Sequence, residues 1–370
     1  MALTRRRRSL ALVAAVALVV VGGAAAFGRA SPAPSLSAVS ADDLIASVIR
    51  AMAARPSISG HMSAHFDIGI PTLPDRGPAR ATGAAELLSA LTGDHRLRVW
   101  RSSDGLRVSD LLPFGERSIF VSRTEAWAWD SDSFSAIHVG PFAVPPSDSS
   151  SGAFDLADPL GLARRGIEAV SPTTYVTVAG TARVAGRGVY VLAIEPRTTA
   201  TLVGRIEISI DAERRLPLRV AVYARGARSA SVSVAFTSVS FGPVDPDVYR
   251  FAPPEGAKVE DLSHDGNGRL GQAGDADAWG NGSRSMEGEY GFGPEGPVRV
   301  FGDGWTTIVA LRTPPLAELQ QQGGGFDLTS LLPFSGPLLS VRAVDRDDHA
   351  WLLYGAVPQS ALGAIEPELS

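Results

Sequence analysis

The stretch Arg205-Ile206-Glu207-Ile208-Ser209-Ile210-Asp211 alternates strictly between polar and apolar side chains. Successive side chains of an extended strand point to opposite faces, so the three isoleucines line one face and the polar residues the other. After a turn at Arg214-Arg215, Leu218, Val220 and Val222 repeat the pattern, and Val232, Val234 and Phe236 repeat it again. Alternating strands joined by short polar turns read as antiparallel hairpins with one apolar face.

The same texture extends outward. Further strands are predicted over 60–68, 96–102, 106–111, 118–121, 125–129, 175–184 and 189–195, with Ser103-Asp104-Gly105 and Ala185-Gly186-Arg187-Gly188 as tight turns. A helix is predicted over 41–54. Asp42 and Asp43 sit in its first turn, Leu44, Ile45, Val48, Ile49 and Met52 keep helical spacing, and Pro56 ends it. A second helix is expected over 158–170. Glycine (39) and proline (26) exceed their average usage of roughly 7 % and 5 %, which suits a chain of many turns; 45 % hydrophobic residues argue against wholesale disorder.

The 370 residues divide by composition. Residues 1–30 carry Arg5 to Arg8 ahead of an uncharged apolar run from Ser9 to Phe27. This is the pattern of a signal peptide or membrane anchor that places the remaining chain outside the cytoplasm. Ala24-Ala25-Ala26 offers a cleavage site. A folded unit is expected over 41–262, a glycine-dense linker over 263–290, and a small α+β unit over 291–370. In that last unit, 298–312 reads as a strand pair or one bent strand, and 315–322 as a short helix. Segments 338–344 and 350–357 read as a hairpin, and 359–365 as a closing helix. A unit this small is expected to dock on the first.

Several functions are excluded or left without residues to perform them. A formal net charge of −5 makes nucleic-acid binding unexpected. The absence of cysteine removes disulfides, thiolate metal sites, cysteine nucleophiles and a lipidated cysteine anchor, and Lys258 is the only lysine. Gly266-x-Gly268-x-x-Gly271 and Gly291-x-Gly293-x-x-Gly296 match a dinucleotide pattern but lack the preceding strand and following helix that would hold a pyrophosphate. Asp265-x-Asn267 and Asp275-x-Asp277 open like calcium loops and then fail, the second placing Met286 where a bidentate glutamate belongs. His61 and His65 share a face without an acidic partner in sequence, a weak metal pair. No cofactor, metal site or catalytic residue is assigned, and the chain is expected not to be an enzyme. Trp127 and Trp129 lie two apart on one strand face, which fits core packing or the aromatic wall of a ligand cavity.

Three stretches carry a resemblance: Val184-Ala185-Gly186-Arg187-Gly188-Val189-Tyr190-Val191-Leu192, then Leu216-Pro217-Leu218-Arg219-Val220, then Asp245-Pro246-Asp247-Val248-Tyr249-Arg250-Phe251 leading to Pro253-Pro254-Glu255-Gly256-Ala257. In this order they resemble the LolA/RseB-like superfamily of envelope proteins, and more narrowly its actinobacterial LolA-like members with an N-terminal signal or anchor. The resemblance covers roughly residues 41–262. Gly302-Asp303-Gly304-Trp305 is similar to the tail of that subgroup.

The resemblance implies an α+β fold: an antiparallel half-open β-barrel covered by helices, with an apolar cavity between sheet and helices, plus the small C-terminal unit. LolA-type members carry lipoprotein acyl chains there; RseB-type members sense envelope lipids or lipoproteins and restrain an anti-sigma factor. The expected ligand is therefore a lipid or lipoprotein acyl chain. It would lie along Ile206, Ile208, Ile210, Val220, Val222 and Val234, with Trp127 and Trp129 as aromatic lining. The alternative is a regulator that binds an anti-sigma factor or another membrane protein partner; a secreted hydrolase is a third reading.

Overall fold

Alternation every second residue dominates the described chain, and the fold that results is mostly β. In a computed structural model, the described residues are 34–69, 92–141, 170–261, 264–265, 269–270, 298–318, 332–346 and 348–369. The export segment at 1–30, the helix expected over 158–170 apart from its last residue, and most of the 263–290 linker lie outside them. Among the described residues no helix is long and apolar enough to cross a membrane.

Helix α1 (Ala41–Ala53) starts where the sequence places it: Ser40 Oγ accepts from the Asp43 backbone N–H at 3.1 Å, satisfying one of the free donors of the first turn. Six strands follow, β1 (Ile58–Phe66), β2 (Gly93–Arg101), β3 (Gly105–Leu111), β4 (Glu116–Ser122), β5 (Ala126–Asp130) and β6 (Ser135–Val139). Five more are β7 (Thr174–Val184), β8 (Arg187–Pro196), β9 (Val203–Asp211), β10 (Pro217–Ala224) and β11 (Val232–Ser240). With β12 (Lys258–Asp261) they form a 12-stranded sheet of order β12-β6-β5-β4-β3-β2-β1-β11-β10-β9-β8-β7. Two consecutive meanders, β1 to β6 and β7 to β11, are thus welded along β1 and β11. Pairing is antiparallel throughout except between β12 and β6, which run parallel.

The turns explain the tight connections. Ala185 and Gly186 take φ of 50° and 77°, the paired left-handed residues that let a two-residue loop follow the twist of β7 and β8. At the next hairpin but one, Asp211 is fully buried and its carboxylate accepts from the Glu213 and Arg214 backbone N–H groups and from Arg187. Arg187 and Asp211 come from different hairpins, so this pair fixes β8 against the β9–β10 turn.

After two-residue strands β13 (His264–Asp265) and β14 (Arg269–Leu270), a second sheet has the order β15-β16-β19-β18-β17. Its strands are β15 (Val298–Phe301), β16 (Ile308–Thr313), β17 (Phe334–Ser335), β18 (Ser340–Asp345) and β19 (Ala350–Gly355), and helix α2 (Gln359–Ala364) packs on it. Its core gathers Ile308, Ala310, Val344, Trp351, Leu353, Val357, Leu362 and Leu369.

The expected half-open antiparallel sheet is present as one large, curved, open sheet, and the described residues form few helices. One expectation needs correction: helices alone do not cover its apolar face. Helix α1 covers one part through Leu44 against Tyr190, Leu192 and Ile210, while Trp305, Leu338 and Ala356 of the second unit pack beside Val203, Ile206 and Val220. Polar bonds reinforce this docking. Ala356 O accepts from Leu202 N–H and from Thr201 Oγ1, both at 2.7 Å, and Trp305 Nε1–H donates to Thr174 Oγ1 at 2.8 Å.

Candidate functional site

Strand register turns the alternating sequence into apolar rows. One row reads Val178, Leu192, Ile208, Val220, Val234 and Ala64 across β7, β8, β9, β10, β11 and β1. Beside it runs Val176, Ile194, Ile206, Val222, Val232 and Phe66. Five of the six aliphatic candidates from the sequence fall in these two rows; the sixth, Ile210, lies one step further along β9, opposite Tyr190. All six therefore share one face, called inner here. Ile206, Ile210, Val220 and Val234 are buried and Ile208 and Val222 half-buried, under α1 or the second unit.

The inner face continues across β1. Leu97 packs with Ala64, Val232 and Val234, and Val99 with Ile58 and Met62. From there a further row runs Val99, Val108, Ile119, Ala128 and Ile137 across β2 to β6, flanked by Leu106, Val121, Ala126 and Val139. Burial is lost between its β3 and β4 positions. Val99 is 7 % exposed and Val108 half-buried, whereas Ile119 is 52 % and Ile137 39 % exposed, with Ala128 exposed between them. Among the described residues the apolar face is covered at the β7–β11 end and open at the β4–β6 end. The sequence alone does not mark this open end, because β6, only five residues long, carries too short an alternation to register, although Ile119 lies within the strand expected over 118–121.

The two tryptophans lie on the other, outer face. Phe120, Trp127 and His138 are cross-strand neighbours there, and Trp129 is paired with Ser118 and Ala136. A strap formed by residues 245–257 crosses this face. Asp245 caps a 3-10 turn (Pro246–Tyr249), Tyr249 is buried, and the Phe251 ring stacks on Phe120 at 4.8 Å and lies 5.5 and 5.6 Å from Trp127 and Trp129. The Trp127 indole also stacks on His138 at 4.2 Å, and His138 is held by Asp261 at 3.2 Å and Glu125 at 3.1 Å. The structure thus brings Ile206, Ile208, Ile210, Val220, Val222 and Val234 together and separates Trp127 and Trp129 from them.

Charged groups sit mainly outside the apolar rows. On the outer face Glu207 faces Arg205 at 2.8 Å, Tyr223 Oη at 2.9 Å and Arg219 at 3.5 Å; burial pushes its pKa up, yet these partners hold it below the ordinary carboxylate range. Asp211 behaves the same way, burial being outweighed by Arg187 and two backbone N–H groups. His95 is raised above its ordinary value by its hydrogen bond to Asp110 at 2.8 Å. These interactions join neighbouring strands. Among the described residues no group of three or more His, Asp or Glu side chains is placed to hold a metal ion.

No family profile and no curated protein matches the sequence. Solved structures do. The chain is similar to MucB in the Pseudomonas aeruginosa MucA/MucB complex, at 14 % identity and a TM-score of 0.45, over 89 % of this chain and 97 % of that one. It is similar to an uncharacterized conserved protein of Thermus thermophilus at 12 % identity and a TM-score of 0.34, over 60 % of this chain and 98 % of that one. A LolA-superfamily protein of Nitrosomonas europaea matches at 9 % identity and a TM-score of 0.23, over 58 % and 99 %. Similarity at these levels assigns no ligand, partner or activity; the chain is similar to LolA-superfamily and MucB structures in fold.

Proposed function

We propose that this chain is a non-enzymatic extracytoplasmic envelope protein that binds lipid or lipoprotein acyl chains along the inner face of its large sheet. The observation that carries the reading is the half-exposed row Ile119, Ala128 and Ile137, continuous with a covered apolar face. An alkyl chain laid on this row needs no catalytic group. Burying about eight methylenes contributes roughly 6 kcal/mol before the entropic cost of association. Residues 1–30 would export the protein or tether it to the membrane.

A second reading, a regulator that binds a membrane protein partner, draws on the packing of the second unit against the first through Trp305, Leu338 and Ala356. A partner that engages both units would sense their docking.

Native mass spectrometry of the full chain, extracted from its own membranes without detergent exchange, tests the first reading. Acyl-bearing species co-isolated with the protein support it. A ligand-free spectrum that stays ligand-free after incubation with fatty-acid vesicles overturns it.

A further inference from the structure

The outer face carries a cleft of about 340 Å³ between β1, β2 and β11, on the side of the sheet opposite the acyl row. Its lining combines Arg98, Trp100, His61, Ser238 and Ser240 over a floor at Gly60. Gly60 is needed there, since a Cβ at this position would overlap the Ser238 carbonyl of the neighbouring strand. The floor is shaped by an irregularity in pairing: His61 opposes Ser238 while Met62 opposes Phe236, leaving Thr237 as an extra residue whose Oγ1 donates to His61 O at 3.2 Å.

The hydrogen bonds fix the chemistry of the wall. Arg98 Nε donates to His61 Nε2 at 3.1 Å. The other ring nitrogen, Nδ1, lies 3.2 Å from Ser238 Oγ. Arg98 is thus oriented by an imidazole rather than a carboxylate, so the residue that positions it brings no negative charge. The half-buried Trp100 ring beside it is a flat apolar surface, with the Arg107 guanidinium 5.1 Å from its centroid. A cation, an aromatic plane and serine hydroxyls in one cleft match an oxyanion, an apolar ring face and hydroxyl groups on a single ligand.

We infer that this cleft binds an acidic saccharide unit. Its carboxylate pairs with Arg98, its C–H face lies on Trp100, and its hydroxyls bond Ser238 and Ser240. The site is independent of the acyl-binding reading, because it lies on the opposite face of the sheet.

The test is ligand-observed and calorimetric titration of the full chain with digalacturonate, with maltose as the neutral disaccharide and inorganic phosphate as the bare oxyanion. The expected result is millimolar or tighter binding of digalacturonate and at least tenfold weaker binding of maltose and phosphate. Arg98→Gln and Trp100→Leu each weaken digalacturonate by tenfold or more, while Tyr354→Ser, a change on the exposed surface of the second unit, leaves it unchanged. Thermal melting of every variant confirms that the fold persists, and Arg98→Lys keeps part of the affinity. Failure of the wild type to bind digalacturonate overturns the inference, as does equal binding of phosphate or an Arg98→Gln variant that binds as well as wild type.

Discussion

Ile119 and Ile137 flank Ala128 in one cross-strand row of the inner face, and both remain more than one-third exposed while Val99, at the far end of the same row, is buried. The gradient follows from what covers the sheet. Helix α1 and the second unit both pack at the β7–β11 end, so the aliphatic side chains there have partners within the chain. Those of β4 to β6 present the same chemistry with less cover, and such a surface is where an external alkyl chain gains most from leaving water.

The second unit is predicted to depend on a close backbone approach. A Cβ added to Gly336 would overlap the Ile68 carbonyl, and one added to Gly69 would come within 2.7 Å of Gly336 Cα. Gly336→Ala should therefore loosen the docking while leaving the core around Trp351 intact. Limited proteolysis should cut between the units faster in the variant than in wild type; identical cleavage rates would contradict the role given to this approach.

Arg187 and Asp211 should be strongly coupled. Removing Arg187 leaves a buried carboxylate without its cation, a change that typically costs about 3–5 kcal/mol. Urea denaturation should place Arg187→Ala near the lower end of that range, because Arg187 itself is partly exposed, and Arg187→Ala combined with Asp211→Asn should recover part of the loss. Asp211 has a lowered pKa in the folded state. Its stabilising contribution is therefore full above the ordinary value near 3.9 and is lost as pH falls through the folded value. Acid unfolding of Arg187→Ala should begin at higher pH than in wild type.

The His95–Asp110 pair should act on the opposite side of the pH scale. His95 is raised by Asp110, so the pair stabilises fully below the ordinary histidine value of 6.5 and loses its effect as pH rises through the raised one. Melting temperature should fall across that window in wild type and fall less in His95→Gln. Parallel profiles would show that the pair contributes nothing measurable.

The strap over residues 245–257 should be a stability element. Phe251 packs against Phe120, Trp127 and Trp129. It is half-buried, so Phe251→Ala should cost somewhat less than the roughly 3–5 kcal/mol of a fully buried phenylalanine. Tryptophan fluorescence should shift to the red in the variant as water reaches the two indoles, whereas an unchanged emission maximum would place the strap elsewhere in solution.

Much of the sheet is legible in the sequence because one-sided burial imposes a period of two, and strands β7 to β11 carry it over eight or more residues each. Helix α1 is legible through its spacing and its acidic first turn. Strand β12 is not: Lys258, Val259, Glu260 and Asp261 are all exposed and carry no apolar face, and they form a strand because the strap delivers them alongside β6. The placement of Trp127 and Trp129 is half legible. Their spacing shows that they share a face, but whether it is the face of Ile206 depends on strand order and register, and a shift by one residue reverses the answer. The covering role of Leu338 and Ala356 is hidden for another reason: the sequence places both in a hairpin of the second unit, and nothing local shows that their side chains meet the first sheet.

Acyl binding along Ile119 and Ile137 is tested by the affinity of the full chain for a fluorescent fatty acid in wild type, in Ile119→Glu combined with Ile137→Glu, and in Val259→Glu, which adds a carboxylate at an exposed position opposite Ala136 on the other face. Fully burying an isoleucine side chain against a ligand contributes about 1.5–3 kcal/mol, and about 1.4 kcal/mol is tenfold in affinity. Affinity should fall at least tenfold in the double variant and stay unchanged in Val259→Glu; equal affinity in all three proteins would rule out acyl binding on this row.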